Sequence, residues 1–296
     1  MAHGFDITGK AAVITGGATG IGFAIADAFA KRGARIVLAG IDEAEGEAAI
    51  RKLSADGARA HFLKCDVADH SGVVHLADEA ELRIGPVDVV VNNAGVGGSG
   101  PALDAKPEHA AWVMNVNFSG VWNGTTVFGQ RMRARGTPSW IVNTASEHAL
   151  GFQHAGDAVY TASKHAVLGF SDVLRAELPP HVGVSVLCPG LVKSQIWNAG
   201  KHRPLGPPST KQTAFMQAMN AAGMDASIIG EAVVAGLARG DFLIVTHPNS
   251  RRAALRRWEE VDAAFQRQAP PSADTGAYDV PSVMSRVRET MLKKPE

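Results

Sequence analysis

The sequence predicts an α/β protein with a single Rossmann-type domain, a doubly wound parallel sheet of about seven strands with helices on both faces. Three observations predict it. Short runs rich in valine and isoleucine recur along the front of the chain, helix-length segments separate them, and the first run passes directly into a glycine-rich turn. Strands that are almost continuously apolar are buried on both faces, which is the condition of a parallel sheet covered by crossover helices.

The strands read in order are AAVIT (11–15), ARIVLAG (34–40), ARAHFLK (58–64), VDVVVNN (87–93), WIVNTAS (140–146), VGVSVLC (182–188) and a short FLIVT (242–246). Helices are expected near 20–32, 43–56, 69–84, 105–134 and 157–178. Residues 191–225 break the rhythm with Pro204, Pro207 and Pro208, followed by the methionine-bearing TAFMQAMNAAGM. An insertion of that length in a compact domain is read as a substrate lid. Leu255, Trp258, Val261 and Phe265 then recur at helical spacing, so 249–268 is read as an amphipathic helix. The remaining residues, with three more prolines before KKPE, read as an extended tail. The expected organisation is a dinucleotide-binding and catalytic domain over 1–248, and a C-terminal helix with tail over 249–296.

Composition narrows the function classes. The chain is 46% hydrophobic and 20% charged, with 29 basic and 29 acidic residues. No basic run interleaved with aromatics points to nucleic acid. Arg251, Arg252, Arg256 and Arg257 lie beside Glu259 and Glu260, which reads as a solvated helix face. Cys65 and Cys188 stand far apart without a CxxC spacing, so free thiols in a reducing compartment are expected. MAHGFDITGK has no apolar signal core, and no apolar run reaches the ~18 residues of a membrane span. A cytoplasmic protein with no membrane partner is expected.

The turn AAVITGGATGIG sets Gly16, Gly20 and Gly22 in a T-G-x-x-x-G-x-G pattern between strand and helix. Glycines permit the tight turn and let the backbone approach a pyrophosphate, while the helix N-terminus offers oriented N–H donors. Further along, Tyr160 and Lys164 stand at i and i+4, so a phenol and an ammonium can share one helix face. A cation ~4 Å away at an effective dielectric near 20 contributes about 4 kcal/mol, enough to lower a phenol by about three pH units. The pair is therefore expected to form a phenolate near neutral pH, fit to take a proton from an alcohol. Ser146, ending the fifth strand, can hold the substrate oxygen; Thr144 is the competitor one turn deeper. Asn115 and Asn117 compete on spacing alone. His148, His154 and His165 lie near this segment without a paired metal-ligand spacing, so no metal is expected. A serine hydrolase fails on context, since no G-x-S-x-G elbow follows a strand.

These motifs, in this order over roughly 10–195, resemble the short-chain dehydrogenase/reductase family. The resemblance covers the glycine turn, CDV (65–67), NNAG (92–95), VMNVNFSGV, the Ser146, Tyr160 and Lys164 group, and the PG pair at 189–190. It implies a catalytic set of Asn117, Ser146, Tyr160 and Lys164. It selects Asn117 over Asn115, has its side chain or backbone relay protons by way of water and Lys164, and has Lys164 grip the nicotinamide ribose. Cofactor contacts are implied for Gly16, Thr19, Gly20, Ile21, Gly22, Asp66, Val67, Asn93, Ala94, Gly95, Tyr160, Lys164, Pro189, Gly190, Val192 and Ser194. Ser146 lies fourteen residues before Tyr160, one more than in many relatives, which lengthens the loop EHALGFQHAGD.

The resemblance implies NAD or NADP. In LAGID, Gly40 stands where NAD-preferring relatives carry an aspartate, and Asp42 lies two residues on. Neither Ile41 nor Thr19 is the basic residue that NADP-preferring relatives tend to place there, so NAD is favoured, with Asp42 reaching the ribose. Leu150, Phe152, Ile196, Trp197, Phe215, Met216 and Met219 suggest an apolar pocket for an aromatic or alicyclic alcohol or ketone. The lid and the tail are similar to a branch containing bacterial aromatic-alcohol dehydrogenases acting on lignin-derived compounds. Lys201, His202, Arg203 and Lys211 keep a reductase of carrier- or CoA-linked 3-oxoacyl substrates as the alternative. A non-catalytic dinucleotide sensor fits less well, because both Tyr160 and Lys164 are retained. Family members commonly pair through the helices near 105–134 and 157–178, so a homodimer or homotetramer is expected.

Overall fold

The computed structural model describes residues 4–98, 100–196, 204, 206, 210–270 and 278–292. Among them seven strands form one parallel sheet: β1 (Ala11–Thr15), β2 (Arg35–Gly40), β3 (Ala60–Lys64), β4 (Val89–Asn92), β5 (Ser139–Thr144), β6 (Val182–Cys188) and β7 (Leu243–Val245). Their order is β3-β2-β1-β4-β5-β6-β7. Thr15 pairs with Ala39 on one side of β1, and Ile14 with Val91 on the other. The winding reverses between β1 and β4, which opens a crevice at their C-terminal ends.

Burial follows the apolar runs. Every residue of β1, β4, β5 and β6 is buried, whereas the edge strand β3 is only partly so. The helices are α1 (Gly20–Ala30), α2 (Glu43–Ala55), α3 (His70–Ile84), α4 (Pro107–Met114), α5 (Gly120–Arg135), α6 (Ala158–Glu177), α7 (Thr210–Ala221), α8 (Ala226–Arg239), α9 (Ser250–Gln268) and α10 (Val280–Leu292). On one face of the sheet, Ile25 and Phe29 of α1 pack with Ile229, Val233 and Leu237 of α8. On the other, Leu76 and Ala80 of α3 pack with Phe128 and Met132 of α5.

Besides α8, which the sequence reading leaves unassigned, two elements differ from it. The helix expected near 105–134 is two α-helices joined by a π turn over Asn115–Ser119, where the Gly120 N–H bonds the Asn115 carbonyl. One residue more than the α repeat is accommodated there, and nothing in the apolar spacing announces it. The expected tail contains α10, because Val280, Val283, Met284, Val287 and Met291 recur at helical spacing despite Pro281.

The chain divides into two compact units, Met1–Ala253 and Ala254–Glu296. In the second, α10 leaves its apolar residues exposed, Val287 by 50% and Met291 by 71%. No helix among the described residues is long and apolar enough to cross a membrane.

Candidate active site

The glycine turn leaves β1 with its backbone bare. Gly16 (φ +60°) and Gly20 (φ +55°) take left-handed conformations. A Cβ at Gly22 would lie 2.2 Å from the Gly16 carbonyl and 2.6 Å from Asn93 Nδ2. The turn is laced to the end of β4: Thr15 Oγ1 accepts from the N–H groups of Asn93 (3.0 Å) and Ala94 (3.1 Å). Asn93 Nδ2 donates to the carbonyls of Thr15 (3.1 Å) and Gly16 (3.3 Å). Thr19 caps α1 without a side-chain bond, so the first-turn N–H groups keep their donors for a ligand. These features fit a dinucleotide pyrophosphate at Gly16, Gly20 and Ile21, with Gly22 holding helix against strand.

The segment after β6 returns to this cradle. Pro189 and Gly190 turn the chain, Val192 bridges to Met224, and a Cβ on Gly20 would meet the Ser194 Cβ at 3.0 Å. Ser194 Oγ in turn donates to Asn220 Oδ1 at 3.0 Å. Asp66 and Val67 follow β3; Asp66 is exposed and accepts from the Ala68 N–H at 3.0 Å, while the Val67 carbonyl accepts from Asn123 Nδ2 at 2.8 Å. Asp42 caps α2, accepting from the Glu45 N–H at 3.1 Å.

At the ends of β4 and β5 the catalytic candidates converge. Lys164, 4% exposed, donates from Nζ to the Thr144 carbonyl at 2.9 Å. A Cβ on Gly95 would sit 3.4 Å from Asn117 Oδ1 and 3.6 Å from Lys164 Nζ, so the three groups meet. Asn117 is wholly buried, whereas Asn115 is exposed. Its amide is tied to its neighbours: Oδ1 accepts from the Val96 N–H (2.8 Å), and Nδ2 donates to the Val96 carbonyl (2.9 Å) and Ser163 Oγ (3.1 Å). The π turn aims this side chain inward, where it fixes the backbone beside Gly95.

Tyr160 is half-buried, with its hydroxyl against that of Ser146. Burial pushes this phenol up to about 12, and Asp157 and Glu147 push the same way against the pull of the Ser146 hydroxyl. Burial also brings Lys164 down to about 8. The phenolate expected near neutral pH is thus corrected for the chain's own groups. Lys164 Nζ lies 5.6 Å above the Tyr160 ring centroid and donates to the Thr144 carbonyl, so its charge reaches the phenol across the ring. Desolvation then outweighs it.

The apolar wall candidates divide. Leu150 packs on the small core around Val121, Ala145 and Val167. Phe152 and Tyr160 both touch the ring of His148, at centroid distances of 5.2 Å and 5.1 Å. Ile196 Cδ1 reaches to 3.9 Å of a Cβ placed on Gly97. Met216 is half-buried, but Phe215 (64%) and Met219 (42%) are exposed on α7. Trp197 lies outside the described residues, as do Lys201, His202 and Arg203. His148 is a site neighbour that sequence reasoning considered only as a metal ligand. Its Nδ1 lies 2.8 Å from Thr161 Oγ1, and burial lowers its pKa. Among the described residues no cluster could hold a metal ion.

A doubly wound sheet with a bare glycine turn at its switch point defines a protein of the Rossmann class. The family model described as short chain dehydrogenase matches residues 10–204, and the chain belongs to that oxidoreductase family. It is 34% identical over 292 residues to 1-deoxy-11-beta-hydroxypentalenate dehydrogenase of Streptomyces arenae, covering 95% of this chain and 97% of that one. It is 30% identical over 278 residues to C alpha-dehydrogenase of a Sphingobium strain, covering 91% and 90%. A solved short-chain dehydrogenase/reductase from Burkholderia phymatum, in complex with NAD, superposes with a TM-score of 0.83 at 33% identity over 90% of this chain and 99% of that one. Against the probable oxidoreductase EphD of Mycobacterium tuberculosis the match is 41% over 193 residues, 64% of this chain but only 32% of that protein.

Proposed function

We propose that this chain is a nicotinamide-dependent dehydrogenase interconverting a secondary alcohol and its ketone, with an apolar aromatic or alicyclic substrate and NAD as the preferred cofactor. The observation that carries the reading is the convergence of Asn117 and Lys164 at Gly95, with Tyr160 beside Lys164 and against Ser146. Two relatives named as dehydrogenases over nearly their full length support it.

In this reading Ser146 Oγ positions the substrate oxygen, and Tyr160 gives or takes the proton at that oxygen. Lys164 and the backbone braced by Asn117 would hold the nicotinamide ribose, and the glycine turn with Ser194 the pyrophosphate. The nicotinamide, when bound, supplies hydride exchange with the substrate carbon.

The preference for NAD rests on charge. The start of α2 carries Asp42, Glu43 and Glu45, and the nearby Lys64 is already paired with Glu43 at 3.1 Å. A ribose phosphate there would meet carboxylates. The test is a screen of aromatic, alicyclic and acyl alcohols with both cofactors, following absorbance of the reduced nicotinamide. Higher kcat/KM with NAD on aromatic or alicyclic alcohols is expected; a dominant NADPH rate, or turnover confined to acyl substrates, overturns the corresponding part.

The pH dependence has a defined sign. A phenol held near 12 keeps its proton at neutral pH, so reduction, which consumes that proton, holds level through pH 7. Oxidation needs the phenolate and rises toward alkaline pH. Initial rates in both directions from pH 6 to 10 check this, and an oxidation rate flat over that range would contradict it.

Assembly as a dimer or tetramer through α4, α5 and α6 belongs to the same proposal. Trp122 (45%) and Val173 (58%) are exposed apolar side chains on these helices. Sizing chromatography reads the assembly, and a monomer alone refutes it.

A further inference from the structure

Behind Ser146, two turns are fastened together by residues that follow β7. The first turn, after β5, carries Ser146 and Glu147; the second, after β6, carries Pro189, Gly190 and Leu191. The Glu147 N–H donates to the Pro189 carbonyl at 2.9 Å, and Ser146 Oγ lies 3.5 Å from the same oxygen. From beyond β7, Ser250 Oγ donates to the Glu147 carboxylate, both residues being buried.

His247, 8% exposed, grips the second turn from both sides. The Gly190 N–H donates to its Nδ1 at 3.0 Å, and its Nε2 stands 3.0 Å from the Leu191 carbonyl. One partner is a donor and the other an acceptor, so these bonds fix the ring as the neutral tautomer with the proton on Nε2. Thr246 Oγ1 lies 2.9 Å from the same Nδ1. A Cβ on Gly190 would meet the His247 ring at 2.8 Å and Glu147 Oε2 at 3.0 Å. Glycine is what lets both side chains close on this turn.

We infer that Glu147, His247 and Ser250 are positioning residues, a bracket that sets Ser146 and the Pro189–Leu191 turn relative to each other. The inference rests on the proposed role of Ser146. It adds that the segment after β7 acts on the reaction through His247 and Ser250, the latter by way of Glu147. Each contributes a different part. Ser250 holds Glu147 and with it the catalytic turn; His247 holds the turn placed against the cofactor cradle. Glu147 also lies close enough to Tyr160 for its charge to be felt there, together with Asp157 at the start of α6, Lys164 on α6 and the adjoining His148 ring.

The experiment uses the full chain and four variants, reading melting temperature, NAD affinity by tryptophan fluorescence, and kcat and KM separately. Ser250→Ala is expected to fold and bind NAD within about twofold of the parent while kcat falls about tenfold, since a small misplacement of a reacting group is costly. His247→Phe is expected to weaken NAD binding about tenfold, and His247→Asn, which keeps an acceptor for the Gly190 N–H, to recover most of it. Glu147→Gln still accepts from Ser250 but removes a negative charge near Tyr160, so the alkaline rise of oxidation moves to lower pH. A purely structural role would not move that profile.

Parental kcat and NAD affinity in Ser250→Ala and His247→Phe would overturn the inference. So would losses that only track melting temperature, with His247→Asn as poor as Phe and the Glu147→Gln profile unmoved. Failure of the parent on every alcohol, with NAD affinity still dependent on His247, would instead sink the proposed reaction and leave the bracket standing.

Discussion

Tyr160→Phe is expected to lower turnover by about a thousandfold while leaving the fold and the dinucleotide affinity nearly unchanged, within the range attributed to one positioned acid or base. The size follows from the neighbours. Ser146 can still hold the substrate oxygen, but the hydroxyl that gives or takes the proton beside it is gone. The fold should survive because the ring, not the hydroxyl, makes the packing contacts: His148 meets it edge-on at 89° and Lys164 Nζ lies above it. Steady-state rates, a melting curve and a fluorescence titration with NAD decide the matter together. A near-native rate would remove Tyr160 from the chemistry, and lost NAD binding would make it a structural residue.

Gly22→Ala should abolish measurable NAD binding, raising Kd by about a hundredfold or more, about 3 kcal/mol. The added methyl has no free space, since the atoms it meets at 2.2 Å and 2.6 Å are the Gly16 carbonyl and Asn93 Nδ2, the groups that fix the cradle. The first is backbone, and the second, a side-chain end, is held by its bonds to the Thr15 and Gly16 carbonyls. Either α1 moves off β1 or the lacing from Asn93 breaks, and both spoil the surface that a pyrophosphate needs. Gly169→Ala on α6 is the control, because a Cβ there meets nothing within 4 Å. It should leave binding intact and stabilise the helix slightly, by about 0.5–1 kcal/mol. Equal NAD affinity in both variants would dismiss the glycine turn as the binding surface.

Much of the sheet was legible because a parallel strand buried on both faces leaves a continuous apolar signature. VGVSVLC spans the residues of β6, and AAVIT those of β1. The glycine turn was legible because close backbone approach demands a residue without a Cβ. Burial of the titrating groups was not legible. From spacing alone the Tyr160–Lys164 pair promised a phenolate, but the direction of Nζ toward Thr144 and the loss of water around the phenol depend on the whole fold. The bracket of Glu147, His247 and Ser250 was equally hidden, since its members come from segments a hundred residues apart and carry no shared spacing. Asn117 sits between these cases. Family resemblance singled it out, yet the bonds that occupy its amide required the structure.

The π turn at Asn115–Ser119 has a consequence for how this chain can vary. Its one additional residue sets the phase between α4 and α5, and each residue of a helix carries about 100° of rotation. Deleting any single residue there, even an exposed one such as Asn115, would restore a regular helix and swing Asn117 or its supports out of the core. Replacing that residue would leave the phase intact. Over these five residues the molecule tolerates changes of letter far better than changes of length.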